Sequence, residues 1–193
     1  MILIMARAPL PGRCKTRLHG RLGPRGAARV QRELLQRLVR LLPAADCELH
    51  AAPDIRHPSF LAARRAGFRL RRQIGPDLGA RMRRAQASRP AVLIGTDCPG
   101  LTAEMIASAR AQVASGSGVI IPALDGGYVL LGLPANYPAA FRGIRWGSSR
   151  VLGQTRRQLR LYGLNLRETR PLADLDTPFD FATERRAGRL KAF

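Results

Sequence analysis

Lysine is almost missing from this chain. Only Lys15 and Lys191 occur, although the formal net charge is +20, from 33 Lys+Arg against 13 Asp+Glu. Such a surface attracts phosphates, nucleic acid and anionic membranes. The arginines, however, are strewn along the chain (Arg29, Arg40, Arg64, Arg110, Arg160, Arg185) and not interleaved with aromatics in one patch. A GC-rich codon bias yields the same imbalance with no function attached. Composition therefore argues only weakly for a non-catalytic binder of nucleic acid or other polyanions. It also makes Lys15, which resists the bias, stand out.

Other absences narrow the classes further. The three cysteines, Cys14, Cys47 and Cys98, are an odd number without metal-ligand spacing. That argues against a disulfide framework and a zinc site, and reads as small buried apolar residues. No apolar run is long enough to span a membrane, and the apolar opening Met1-Ile2-Leu3-Ile4-Met5 is too short for a signal-peptide core. The expectation is a soluble, cytoplasmic protein. A Walker A loop is absent, Gly20, Gly23 and Gly26 have the wrong spacing for a dinucleotide fingerprint, and Gly147-Ser148-Ser149 is not a nucleophile elbow. His19, His50 and His57 form no metal-spaced pair and read as surface or capping residues. With no internal repeat, low-complexity tract or dividing linker, the 193 residues are expected to form one domain, 1–193.

What is present is an alternation. Short apolar or β-rich runs at 2–6, 47–51, 68–73, 91–95, 119–122 and 128–133, with a weaker one at 165–168, predict strands. Amphipathic segments at 25–42, 59–66, 78–87, 103–113, 150–162 and 179–187 predict helices between them. In the first of these, Val30, Leu34, Leu38 and Leu41 share a face. Strands alternating with helices imply an α/β fold, with a parallel or mostly parallel sheet covered on both faces. The four-residue link Leu124-Asp125-Gly126-Gly127 is too short for a parallel crossover. Either a hairpin forms there or the chain leaves the sheet, and both options put Asp125 in a glycine-freed turn beside a sheet edge.

The chemistry-bearing residues lie where such strands end. Ala91-Val92-Leu93-Ile94 runs into Gly95-Thr96-Asp97, delivering a carboxylate to a carboxyl end, where open α/β sheets bind ligands. Asp97 reads as a metal or substrate ligand; a turn or cap aspartate ahead of Pro99-Gly100 is the alternative. The loop after the first strand, Arg7 to Leu18, carries Arg7, Arg13, Lys15 and Arg17, which suit a di- or triphosphate; a solvated basic loop is the alternative. Asp77 is a plausible cap, with Gly79 leaving room for close approach of a ligand. Mg²⁺ is usually held by one or two carboxylates plus substrate phosphates, and Asp97 with Asp125 or Asp176 meets that need. Thr177-Pro178 reads as a helix start, compatible with metal binding by Asp176.

Six motifs in order, Ala8-Pro9-Leu10-Pro11-Gly12-Arg13-Cys14-Lys15-Thr16-Arg17-Leu18, Asp77-Leu78-Gly79-Ala80-Arg81-Met82, Ile94-Gly95-Thr96-Asp97-Cys98-Pro99-Gly100-Leu101, Asp125-Gly126-Gly127-Tyr128, Trp146 with Val151-Leu152 and Thr155, and Asp174-Leu175-Asp176-Thr177-Pro178, carry a resemblance. The chain resembles the bacterial DUF2064 family, glycosyltransferase-A-like proteins similar to nucleotide-diphospho-sugar transferases. The resemblance implies a single-domain GT-A fold, a Rossmann-like three-layer sandwich with a mostly parallel mixed sheet, that binds a nucleotide sugar or a nucleoside triphosphate with Mg²⁺ or Mn²⁺. It implies that Ala8, Pro9, Gly12, Arg13, Lys15 and Arg17 hold phosphates, and that Gln73, Leu78 and Gly79 lie near the base. By the same resemblance Asp97 and Asp176 bind the metal, Asp97, Asp125 and Lys15 serve catalysis, and Gly126, Gly127, Tyr128 and Trp146 line the acceptor side. Thr96-Asp97-Cys98 departs from a DXD motif in having one acid. The leading expectation is a metal-dependent glycosyltransferase with an unidentified small-molecule acceptor; the alternative at the same site is a nucleotidyltransferase.

Overall fold

The opening run folds as strand β1 (Ile2–Arg7), and its alternate side chains enter two different cores. Ile2, Ile4 and Ala6 join Val92, Ile94, Val119 and Ile121 on one side of a sheet, while Leu3 joins Leu93, Ile120 and Leu131 on the other. This is the period of two expected of strands buried on both faces. Each fully buried Leu or Ile contributes about 1.5–3 kcal/mol from apolar burial. The computed structural model describes residues 1–87 and 89–191.

The other strands are β2 (Cys47–Ala52), β3 (Arg69–Arg72), β4 (Ala91–Ile94), β5 (Gly118–Pro122), β6 (Tyr128–Leu133) and β7 (Leu166–Glu168). Helices α1 (His19–Leu41), α2 (Pro58–Arg65), α3 (Leu78–Gln86), α4 (Ala103–Ala114), α5 (Val151–Leu161) and α6 (Pro178–Arg186) complete the fold. The sheet order is β3-β2-β1-β4-β6-β5-β7. β6 runs antiparallel to both of its neighbours, and the other pairs are parallel. Side chains of α1, α2 and α4 cover one face (Leu35, Phe60, Ile106); those of α3 and α5 cover the other (Met82, Leu152, Leu159). The α/β fold with a mostly parallel sheet covered on both faces is what the alternation predicted, and the antiparallel β6 gives the mixed three-layer sandwich that the resemblance implies.

Local signals behave as expected at the helix starts. Asp77 accepts from Ala80 N at 2.8 Å, and Thr102 caps α4. Thr177 and Asp180 form a reciprocal capping box with Pro178 in the first turn of α6. The expected start at residue 25 reflects a real break. Within α1, Gly23 has φ 65° and Pro24 follows it, so a short helical turn from His19 precedes the main helix. A third apolar cluster joins α1 to the chain's last segment, through Leu18, Val30, Leu34, Leu175 and Phe181.

Two expectations are corrected. His50 is neither at the surface nor a cap: it is buried, 3.3 Å from Glu48, which Arg89 holds through contacts of 3.2 and 2.7 Å. Burial pushes the His50 imidazole pKa below its usual value, although Glu48 opposes this. His57 does cap α2 as expected, accepting from Ser59 N at 3.2 Å. Asp125 sits in a β5–β6 hairpin, but inside the strand order and not beside an edge, because β6 inserts between β4 and β5. Since β6 runs backwards, that turn shares the end of the sheet where β1 and β4 stop.

Among the described residues, no helix is long and apolar enough to cross a membrane. All three cysteines are free and buried, in agreement with the apolar reading.

Candidate functional site

Lys15 is the pivot of the site. Its backbone is left-handed, with φ 46° and ψ 46°, a conformation that costs a non-glycine residue about 1–2 kcal/mol. Its side chain is only 4% exposed. The ammonium lies 2.7 Å from Leu175 O, 3.0 Å from Asp97 Oδ1 and 3.1 Å from Asp176 Oδ1. Three oxygens thus face the three N–H donors of one ammonium. Burial opposes the charge, but Asp97 and Asp176 outweigh it and raise the Lys15 pKa above its ordinary value.

Each partner is fixed by its own element. Asp97 follows β4, and its backbone carbonyl accepts from Leu175 N at 2.8 Å. Thr96 donates to Asp97 Oδ1 at 3.2 Å and accepts from the buried Gln31 side chain of α1 at 3.0 Å. Asp176 precedes the α6 capping box, and its second oxygen lies 3.4 Å from Arg17 Nη1. Leu175, fully buried in the α1–α6 cluster, anchors the stretch between them.

A cleft of about 820 Å³ opens at this end of the sheet, lined among others by Gln73, Leu78, Arg81, Asp97, Asp125, Trp146, Asp174 and Asp176. A smaller space of about 440 Å³ adjoins it, lined by Arg7, Arg13, Lys15, Arg17, Asp97 and Asp176 with their neighbours. Arg7, Arg17, Asp97 and Asp176 line both. Gln73 spans the ends of β1 and β2, donating to Ala6 O at 3.0 Å and His50 O at 2.8 Å. With both amide hydrogens engaged, its carbonyl oxygen is the group left for a ligand.

The expected residues fall into two sets. Lys15, Arg17, Asp97 and Asp176 converge, and Gln73, Leu78, Asp125, Gly127, Tyr128 and Trp146 line the main cleft with them. Arg13 lines the smaller space. Ala8 and Pro9 are instead buried, the Ala8 N–H donating to Ala52 O at 2.7 Å, so they serve the core beneath the loop. Gly12, at φ 79°, is exposed and makes the turn. The room above Gly79 is taken by the Trp146 indole and not left for a ligand. Gly126 packs against the Ser149 backbone, which a side chain at this position would strike. Tyr128 meets Trp146 edge to face, with ring centroids 6.5 Å apart, and burial raises its phenol pKa above the usual value.

Asp174 and Arg81 were missed as site residues. Asp174 is half-buried in the cleft; burial, reinforced by Asp97, Asp125 and Asp176, pushes its pKa up to about 7. The signal was present in Asp174-Leu175-Asp176: in an extended segment alternate residues share a face, and Leu175 is the apolar one. Arg81 is held by its own backbone neighbourhood, Nε donating to Gly75 O at 3.0 Å. Among the described residues, no three His, Cys, Asp or Glu side chains gather closely enough to hold a metal by themselves.

The family model described as "Uncharacterized protein conserved in bacteria (DUF2064)" matches residues 33–148, more than half of the chain. The chain belongs to the DUF2064 family. It is also similar to a "putative nucleotide-diphospho-sugar transferase" from Desulfovibrio desulfuricans G20, with 29% identity over all of this chain and 88% of the other and a TM-score of 0.87. Two more distant structures share the fold. One is a CMP:2-keto-3-deoxy-manno-octonic acid synthetase complexed with CTP (12% identity, 98% of this chain, 99% of the other, TM-score 0.52). The other is Rv0371c from Mycobacterium tuberculosis H37Rv (14% identity, 94% and 95%, TM-score 0.52). No curated protein matches the chain. The DUF2064 match stops short of both Lys15 and Asp176, so the two ends of the site lie outside it.

Proposed function

We propose that this DUF2064 protein is a metal-dependent glycosyltransferase that moves a sugar from a nucleotide sugar to a small acceptor. The observation that carries the reading is the convergence of Asp97 and Asp176 on one point, held here by the Lys15 ammonium, at a cleft lined by Arg7 and Arg17. Similarity to the Desulfovibrio structure supports the transferase class.

The residues fit a divalent ion. Hard cations take oxygen ligands, and Mg²⁺ usually keeps one or two carboxylates plus substrate phosphates. Asp97 and Asp176 would hold it, and it would neutralise charge on the departing diphosphate. The protein's own groups do the rest. Arg7, Arg13 and Arg17 face the phosphates, where charge grows as the donor bond breaks. Gln73 presents a carbonyl to the base, beside Leu78 and Arg81. Trp146, Tyr128 and Gly127 wall the acceptor side. Asp174, half-buried in the cleft beside Asp97 and Asp125, would take the acceptor's hydroxyl proton.

A second reading keeps the site and changes the bond. The smaller space beside Lys15, lined by Arg7, Arg13 and Arg17, is where a third phosphate would lie, favouring nucleotidyl transfer from a nucleoside triphosphate onto a phosphorylated acceptor. A thermal-shift panel of nucleoside triphosphates and nucleotide sugars, each with and without Mg²⁺ or Mn²⁺, tests both readings. Stabilisation by a nucleotide sugar with metal, and nucleoside diphosphate among the products, supports glycosyl transfer; pyrophosphate release supports nucleotidyl transfer. Salt-sensitive polyanion binding without any nucleotide or metal response rejects both.

A further inference from the structure

Lys15 occupies the position that the metal reading needs. Its ammonium sits against both Asp97 and Asp176 and against a backbone carbonyl, at 2.7–3.1 Å. A hard divalent cation wants that same set of oxygens, at about 2.0–2.1 Å for Mg²⁺. With the lysine in place, the two carboxylates are already bridged by a positive charge. An approaching divalent ion then meets repulsion as well as occupied oxygens.

We propose that Lys15 holds the cation seat between Asp97 and Asp176 until a nucleotide arrives, so that the divalent ion enters together with the nucleotide and not ahead of it. The inference rests on the metal-dependent reading above. The neighbouring geometry supplies the exchange. The space beside the ammonium is walled by Arg7, Arg13 and Arg17. Nucleotide phosphates drawn there offer Lys15 new anionic partners, and the released carboxylates then take a divalent ion with phosphate oxygens completing its shell. Lysine suits the task, since a compact ammonium on a flexible stem can be enclosed by three oxygens and can swing away. A planar guanidinium with five donors can do neither as readily. That a lysine stands here, in a chain whose cations are otherwise almost all arginine, fits the same requirement.

The test uses Mn²⁺ alone, followed by electron paramagnetic resonance, on the full chain and on its Lys15→Met and Lys15→Gln variants, with circular dichroism checking that each is folded. One Mn²⁺ bound at least tenfold more tightly by a folded neutral variant, and lost again on adding Asp97→Asn, is the expected result. Equal affinity of wild type and folded variants overturns the inference. A second measurement needs no variant. Because the chain has two lysines, ¹⁵Nζ labelling gives two ammonium resonances. The Lys15 signal should ignore Mg²⁺ alone and move when a nucleoside triphosphate or a nucleotide sugar from the panel above is added with Mg²⁺; movement with Mg²⁺ alone overturns the proposal. If no nucleotide moves the signal or stabilises the protein, the transferase reading fails, while the Mn²⁺ comparison still judges the cation seat.

Discussion

A Cβ placed on Gly79 would lie 2.5 Å from Trp146 Nε1. The first residues of α3 and the loop before α5 therefore interlock through one glycine and one indole. Nothing in the backbone dihedral of Gly79 demands glycine; the neighbouring ring does. Gly79→Ala should displace Trp146, cost about 1–3 kcal/mol as an overpacking change, and blue- or red-shift the fluorescence of the chain's single tryptophan. Unchanged emission and unfolding midpoint would contradict the packing described.

Asp97 touches the cation seat directly. Asp97→Asn should lower turnover by roughly 10²–10³, the usual scale for losing one charge-stabilising group at a reacting centre. The fold should survive, because the backbone carbonyl of residue 97 still receives Leu175 N. Product formation measured beside circular dichroism checks both halves, and a folded variant with full turnover removes Asp97 from the mechanism.

Leu175 separates two acids and is fully buried. Leu175→Ala should cost about 2–5 kcal/mol in denaturant unfolding, through lost burial and an unfilled cavity. It should also loosen the chain on both sides of it, weakening nucleotide binding although residue 175 offers a ligand no side-chain polar group.

Asp174 gives a signed pH dependence. Its folded pKa is raised from 3.8 to about 7, so between these values the folded protein holds a proton that the unfolded chain has lost. Its favourable contribution is complete below about pH 4 and disappears as pH climbs through about 7. Asp174→Asn should flatten the decline in stability over that window, read by urea titration at pH 5 and pH 8. For activity the sign is reversed: a divalent cation held by Asp97 and Asp176 would offset the charges that raise the Asp174 pKa, so the rising limb of kcat should lie below pH 7, and the asparagine variant should lose it. A rate profile unaltered by the substitution would free Asp174 from proton transfer.

Much of this is legible in the amino-acid sequence. The period-two strands, the amphipathic helices and the β5–β6 hairpin follow from local pattern and turn length. The carboxylate at the end of β4 follows from an apolar run that stops at Gly95. Long-range pairing was not legible. Nothing near Lys15 in sequence says that its partners lie some 80 and 160 positions away, because that contact depends on α6 docking against α1. Gly79 reads as space for a ligand because a sequence shows a missing side chain but not the Trp146 ring that fills its place. His50 reads as superficial because its neighbour Glu48 is held in the interior by Arg89, which comes from beyond α3. Asp125 was placed beside a rim because sequence alone does not reveal which strand the returning β6 will lie against.

The reversal of β6 has a consequence for how such a scaffold can diversify. A turn that comes back directly to the working end needs no connecting helix, yet residues 124–127 are tied to two other segments, Leu124 N donating to Leu172 O at 3.1 Å and Leu152 N to Gly126 O at 2.9 Å. A longer tip is therefore expected to require matched changes around Ser149 and Leu172, so that this end of the sheet diversifies as three segments together and not as one loop.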